Sequence, residues 1–307
     1  MQVTVLGAPL ALGQSHRGVG LAPQALRDVG LATVVAELGH ELHDLQDLVL
    51  PTHEMVGAAE PDLHDPTRRL RFGPQIGDAC RRICEAVEVA AKNPNTFVLT
   101  LGGDHSMALG SIQGILKARP DFSLIWVDAH GDFNTPETSP SGNLHGMPLA
   151  ALTGYVKTGL PNFEWLERGP HLNPKRVALL GIRSLDTGEK RMLHEAGISV
   201  FTMKEIDRYG IGRVMEQVLE VVEADKRPLH VSFDIDSMDP SEAPGTGTRV
   251  RGGLTYREAH YILETLSDTQ RLGSMDLAEI NPVLDCNNQT SILGLELIAS
   301  ALGKAIY

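Results

Sequence analysis

Three short stretches of this chain gather side chains that ligate metals. The first is Asp128-Ala-His-Gly-Asp132, where two carboxylates and an imidazole recur at every second position directly after the apolar run Ser123-Leu-Ile-Trp-Val127. A strand turns alternate side chains to opposite faces, so if the strand persists, Asp128, His130 and Asp132 all point the same way. The second is Leu229-His-Val-Ser-Phe-Asp-Ile-Asp236, where the same alternation puts His230, Ser232, Asp234 and Asp236 on one face. The third is His105, within Gly102-Gly-Asp-His-Ser106 at the end of the β-rich run Thr96-Phe-Val-Leu-Thr-Leu101. Carboxylates packed together in low dielectric raise one another's pKa and are costly to bury unless a cation offsets them. A metal site is the reading these residues predict.

A lone aspartate at a strand end is more often a turn former or helix cap, and His230 reads as a packing or ligand-orienting residue. As a set, however, His105, Asp128, His130, Asp132, Asp234 and Asp236 are hard to explain as caps. One ion does not need two such clusters, whereas two ions sharing bridging carboxylates do. Oxygen and imidazole donors without a thiolate suit manganese, and less well zinc or iron(II). Two divalent ions would balance the four aspartates, and a bridging hydroxide would leave the cluster about one unit negative. Such a site supplies a nucleophile at neutral pH and tolerates a cationic substrate.

The elements that must position these groups follow from the chain in order. Residues 3–6 read as a strand, 7–20 as a glycine-rich loop, and a helix runs from Pro23 to just before Gly39. Gly18 and Gly20 form only a fragment of a phosphate-binding pattern, so that loop reads as structural. Residues 50–73 have no clear period, and His53 and His64 within them read as solvent-facing. A helical stretch over 74–92 places Cys80 and Cys84 on one face as small apolar fillers. After the strand 96–101 come a helix to about Arg119, the strands 123–127, 176–181 and 198–201, a helix over 211–223 and the strand 229–236. Thr255-Tyr-Arg-Glu258 has capping-box form, residues 271–282 end in Glu279-Ile-Asn-Pro282, and a last helix spans 289–302. Apolar strands alternating with helices predict a single doubly wound α/β domain over 1–307, its mostly parallel sheet covered on both faces. Every polar cluster then falls at a strand's carboxyl end, on one rim.

Composition sets bounds on partners. With 307 residues, 42% of them hydrophobic, the chain can bury a large core. A formal net charge of −12 argues against nucleic acid and anionic membranes, both of which need a basic face. The N-terminus enters a strand without a basic or apolar leader, and no run approaches a membrane span, which predicts a cytoplasmic protein. Cys80, Cys84 and Cys286 fit no disulfide framework or zinc pattern.

Gly102-Gly-Asp-His-Ser106, Asp128-Ala-His-Gly-Asp132 and Ser232-Phe-Asp-Ile-Asp236 resemble, in order, the three metal-binding motifs of the ureohydrolase family. The loop Asn134-Thr-Pro-Glu-Thr-Ser-Pro-Ser-Gly-Asn-Leu-His145 resembles that of its arginase branch rather than the agmatinase branch. The resemblance implies an arginase/deacetylase-like α/β/α fold and hydrolysis of L-arginine to L-ornithine and urea, with two Mn2+ ions per subunit. His105, Asp128, Asp132 and Asp234 would hold one ion and His130, Asp128, Asp234 and Asp236 the other, with Asp128 and Asp234 bridging. Asn134, Ser141 and Asn143 would hold the substrate's α-carboxylate, Asp186 would face its α-amino group with Glu189 as the following acid, and Glu279 would orient the guanidinium. A guanidinium carbon is a poor electrophile because its charge is delocalised and does not titrate, so the implied attack needs a hydroxide bridging the ions. Asp132 would pass a proton to the leaving nitrogen and His145 would shuttle protons. Family members are trimers or hexamers. Ser184 stands where animal members carry an aspartate, and the chain ends at Tyr307 without their longer tail, which is the bacterial pattern. A sister enzyme acting on agmatine or another guanidino compound, or a non-catalytic amino-acid binder, are the competing readings.

Overall fold

The computed structural model describes residues 1–57, 70–156, 162–222 and 226–306. Their strands are β1 Gln2–Ala8, β2 Glu41–Asp47, β3 Thr96–Gly102, β4 Ser123–Val127, β5 Val177–Ile182, β6 Ser199–Thr202, β7 Leu229–Asp234 and β8 Leu272–Ala278, the central ones rich in branched and leucine side chains. They form one eight-stranded sheet in the order β2-β1-β3-β8-β7-β4-β5-β6. Every pairing in it is parallel. β3, β4, β5 and β7 are buried at every position, as strands covered on both faces must be.

The helices are α1 Ala22–Asp28, α2 Leu31–Glu37, α3 His53–Val56, α4 Gly73–Ala91, α5 Ala108–Ala118, α6 Pro148–Leu152, α7 Glu164–Glu167, α8 Thr187–Ala196, α9 Met203–Val222, α10 Tyr256–Asp268 and α11 Gln289–Ala301. They cover the sheet in two layers. Ile76, Cys80 and Ile83 of α4 and Leu109 and Ile112 of α5 pack with Leu124 and Trp126 of β4 on one side. Leu26 of α1, Val218 of α9, Ile262 of α10 and Ile298 of α11 pack with Ile125 and Val127 on the other. Alternate residues of β4 thus feed opposite cores, which is the period-2 rule at work. The expected doubly wound α/β domain is what the chain forms, and Cys80 and Cys84 are buried fillers on α4.

Several local readings differ. The helix read between Pro23 and Gly39 is two helices, because Gly30 at φ 112° turns the chain left-handed between them. β2 has no counterpart in the sequence reading: Glu41-Leu-His-Asp-Leu-Gln-Asp47 is mostly exposed on the sheet edge and lacks the apolar content of its neighbours. α9 begins at Met203, eight residues before the predicted helix, and breaks at Gly210, so the predicted segment is its second part. His53 is not solvent-facing but half-buried, its Nε2 2.8 Å from the Ala11 carbonyl oxygen. His64 lies outside the described residues. Among the described residues, no helix is long and apolar enough to cross a membrane.

Candidate metal centre and substrate pocket

The ligand-type residues come from the carboxyl ends of β3, β7 and β4, which lie within a block of adjacent central strands completed by β8. Two expectations about how they converge are corrected. β4 ends at Val127, so Asp128, His130 and Asp132 do not lie on one strand face; the chain leaves the strand, bends at 129–130 and takes a left-handed conformation at Asp132, φ 48°. β7 ends at Asp234, and Asp236 sits in the 3-10 turn Ile235–Ser237 that follows. The turns themselves are held by the acids: Asp128 accepts from the His130 N–H at 2.7 Å, and Asp234 accepts from the Asp236 N–H at 2.7 Å. His105 enters on the 3-10 turn His105–Met107, capped by Asp104, whose carboxylate accepts from the Ser106 N–H at 3.1 Å.

These turns bring the side chains together. His105 Nδ1 stands 3.3 Å from Asp128 Oδ2, 3.2 Å from Asp132 Oδ2 and 3.1 Å from Asp234 Oδ2. His130 Nδ1 stands 3.4 Å from Asp128 Oδ1 and 3.2 Å from Asp236 Oδ2. Asp128 therefore offers one oxygen to each imidazole. Two sets of donors that could hold a metal ion result, His105 with Asp128 and Asp132, and His130 with Asp128 and Asp236.

Whether metal ions fit can be judged from His105. Its Nε2 is 2.9 Å from Ser232 Oγ and its ring stacks on Trp126 with centroids 4.1 Å apart, which fixes the plane of the ring. Its Nδ1 is buried with no hydrogen bond of good geometry, yet faces three carboxylate oxygens. A nitrogen lone pair and three anions directed at one point require a cation there. Without a metal the cation is a proton. Burial would lower the His105 pKa, but Asp128, Asp132 and Asp234 outweigh it and hold the ring well above its ordinary range. His130 is likewise pushed up to about 12, with burial opposed by Asp236 and Asp128. Burial and the Asp128 charge raise Asp132 to about 7.

Beside this cluster, His145 Nδ1 lies 3.0 Å from Glu279 Oε1. Glu279 follows β8 at φ 64° and also accepts from the His105 N–H at 2.9 Å, so one carboxylate ties the imidazole to the loop bearing a ligand. Burial lowers the His145 pKa and the Glu279 hydrogen bond raises it more, to about 9. The His145 N–H donates to the Gly13 carbonyl at 3.1 Å, and the Gly13 N–H donates to Asp104 at 2.8 Å.

A pocket opens above the acids, lined by Asn134, Ser141, Asn143 and His145 on one side and Ser184, Asp186 and Glu189 on another. Asn134 Nδ2 donates to Asp186 Oδ2 at 3.1 Å, joining the loop after β4 to the one after β5. Asn143 Nδ2 donates to Ser15 Oγ at 3.2 Å, and the Asn143 N–H to Ser141 Oγ at 3.2 Å. Glu189 completes the capping box of α8 by accepting from the Asp186 N–H at 3.2 Å, and its other oxygen accepts from the Phe133 N–H at 2.9 Å. Burial raises it to about 7. The candidate ligands and pocket residues named from the sequence thus come together: most line this pocket, and His105, Asp128 and Glu279 lie against Asp132, His130 and His145, which do.

Three contributors escaped the sequence reading. Thr248 lines the pocket and donates to Asp236 Oδ2 at 2.6 Å. Its only local signal is the glycine spacing of Gly245-Thr-Gly-Thr248. Arg183 donates to the carbonyls of Asp236 at 2.8 Å, Ser237 at 2.9 Å and Met238 at 3.1 Å, pinning the turn that carries a ligand. It stands just past β5, where the other strand ends might have suggested it. Trp126 Nε1 donates to Asp128 Oδ2 at 2.9 Å from inside β4, where it reads as plain core.

The Arginase family model matches residues 1–303 of this chain. The chain belongs to the arginase family. Against the arginase of Bacillus caldovelox it is 40% identical over 304 residues, covering 99% of both chains. The hepatic arginase of Aquarana catesbeiana is 42% identical over 311 residues, covering 99% of this chain and 93% of that one. Among solved structures, the Bacillus caldovelox arginase superimposes with a TM-score of 0.90 over 100% of this chain and 99% of that one. The Entamoeba histolytica arginase, solved in complex with L-ornithine, does so with a TM-score of 0.88 at 30% identity, over 99% and 98%. The near-complete overlap with a bacterial arginase accords with the arginase resemblance read from the three motifs and the loop after the second.

Proposed function

We propose that this chain hydrolyses L-arginine to L-ornithine and urea at a pair of divalent ions, manganese by the chemistry of its donors. The observation that carries the reading is a pocket that joins the acid and imidazole cluster to a second end built of Asn134, Ser141 and Asn143 beside the Asp186 carboxylate. Amide and hydroxyl groups next to one carboxylate suit the two charges of an α-amino acid. L-Ornithine, bound by the Entamoeba relative, is the product this reaction would release.

His105, Asp128, Asp132 and Asp234 would hold one ion, and His130, Asp128, Asp234 and Asp236 the other. When bound, two such ions supply a water acidified to near neutral pH. The protein's own groups do the rest. Asn134, Ser141 and Asn143 bind the α-carboxylate and Asp186 the α-amino group, which sets the reach of the side chain into the pocket. Glu189 acts through Asp186 and Phe133, whose N–H groups it holds. Glu279 draws the guanidinium toward the acids. Asp132, which faces the pocket beside His105, is placed to take a proton from water and return it to the leaving nitrogen. His145, at the pocket wall with its Nδ1 on Glu279, carries protons to solvent. Ser184 carries no charge, so Asp186 is the carboxylate of the α-amino end. We further propose one catalytic domain over 1–307, working in the cytoplasm as a homo-oligomer, a trimer or hexamer.

The test is urea release by manganese-loaded protein from arginine and from agmatine, with metal content measured alongside. Arginine should be preferred by about 100-fold or more in kcat/KM, because an amine leaves the carboxylate-binding groups unpaired. Comparable turnover of agmatine, or full metal without urea from arginine, would overturn the reading.

A further inference from the structure

We infer that Thr138 is a positioning residue that fixes which way the Asn134 amide faces, and so makes the pocket selective for guanidines bearing an α-carboxylate. The inference rests on the arginine reading above. Thr138 is not among the residues lining the pocket, so it acts through Asn134.

The hydroxyl of Thr138 has one proton and a choice of acceptors. It receives the Thr135 N–H at 2.8 Å, which occupies a lone pair. Asn134 Oδ1 lies at 3.0 Å, the Thr135 carbonyl at 3.4 Å and Thr135 Oγ1 at 3.5 Å. With the amide oxygen on this side, the hydroxyl donates to the nearest acceptor, Asn134 Oδ1. The opposite end of the amide meets Asp186 Oδ2 at 3.1 Å, and an ionised carboxylate only accepts. Asp186 rejects the reversed amide, and the Thr138 proton adds a bond to Oδ1 that holds the orientation which remains. Nδ2 spends one proton on Asp186 and keeps the other for a carboxylate in the pocket. In the reversed amide, Oδ1 would face Asp186 and the substrate carboxylate, two like contacts at low dielectric.

Asn143 has no such lock. Its Nδ2 donates to Ser15 Oγ, and its buried Oδ1 has no hydrogen-bond partner among the described residues. The amide held in one orientation is thus Asn134. Thr138 is itself held in place, since the Thr138 N–H donates to the Thr135 carbonyl at 3.1 Å. Its Cβ lies 3.6 Å from where a Cβ on Gly188 would sit, in the first turn of α8, the helix that Asp186 caps. Through the Asn134 amide, which bonds Asp186, the hydroxyl links the carboxylate-reading loop to the amino-reading one.

The experiment compares manganese-loaded wild type, Thr138→Val and Thr138→Ser, with L-arginine and with agmatine, the same guanidine lacking the carboxylate, as substrate or competing inhibitor. Thr138→Val should raise KM for arginine about tenfold, the worth of one hydrogen bond to a charged group. Its kcat should stay within about twofold and its agmatine constant unchanged, with manganese content as in wild type. Thr138→Ser, which keeps the hydroxyl, should restore the arginine KM. Thr138→Ala carries the same expectation as valine, so a valine variant that misfolds does not spare the inference. Equal weakening of both ligands, a fall in kcat at constant KM, or no effect from losing the hydroxyl would overturn it. A wild type inactive on arginine would instead overturn the arginine reading.

Discussion

Asp128 is the residue on which both halves of the candidate metal centre depend, because its oxygens face different imidazoles and Trp126 and His130 hold it in that pose. His145 touches no ligand-type carboxylate and reaches that network only through Glu279, which also accepts from the His105 N–H. The two residues should therefore separate metal binding from turnover. Asp128→Ala is expected to leave purified protein with less than about one-tenth of the wild-type manganese. His145→Asn is expected to keep its metal while turnover falls by about 100-fold, the usual contribution of a positioned proton carrier. Metal analysis and steady-state urea release on the same preparations check both. Full manganese in Asp128→Ala would remove the bridging role, and loss of metal in His145→Asn would make that imidazole structural.

At the scale of elements, the site is a property of strand ends held in adjacent register. β3 and β8 pair through Leu101 and Leu277, and β7 and β8 through Asp234 and Ala278, so His105, Glu279 and Asp234 emerge side by side. The close fit there leaves no room for extra atoms. Gly103 passes the chain from β1, and a Cβ on it would overlap the Leu10 carbonyl, while its own carbonyl accepts from the Glu279 N–H at 2.8 Å. Gly103→Ala should accordingly destabilise the protein by about 2–3 kcal/mol, since backbone cannot yield as a side chain does. Urea unfolding of wild type and variant measures this. A difference below about 0.5 kcal/mol would mean that the β1 and β3 loops are free to part.

Across the whole molecule, the balance of charge couples metal to protons. In the metal-free protein the facing carboxylates push His130 up to about 12 and His105 well above its ordinary range, which favours the protonated rings. An ion needs the neutral rings, and those protons must leave. Both shifts are upward, so metal affinity rises with pH and falls on acidification. Manganese loading at pH 7 should release about two protons or more per pair of ions. Titration calorimetry in two buffers of different ionisation enthalpy measures the release. Uptake of metal without it would show that the imidazoles are not ligands. An acidic chain with net charge −12 can thus keep its buried acids together through protons alone until metal arrives.

The sequence by itself determined the kinds of element and the inventory of chemistry. Branched runs such as 123–127 and 177–182 bury on both faces, and the glycine and acid pairs that follow them announce strand ends; both signals are local and survive without knowledge of the fold. It could not show β2, whose polar Glu41–Asp47 is a strand only because β1 offers an open edge. Nor could it show that Asp128 to Asp132 converge through a bend after the strand and a left-handed Asp132 rather than by strand alternation, because that path is set by contacts with distant residues. Only the tertiary structure decided that β8 lies between β3 and β7, which puts Glu279 between His105 and His145. It also decided which partners orient the ligands and amides, among them Ser232, Arg183 and Thr138. Spacing along a chain specifies which side chains can meet on one element; packing between elements specifies which of them do.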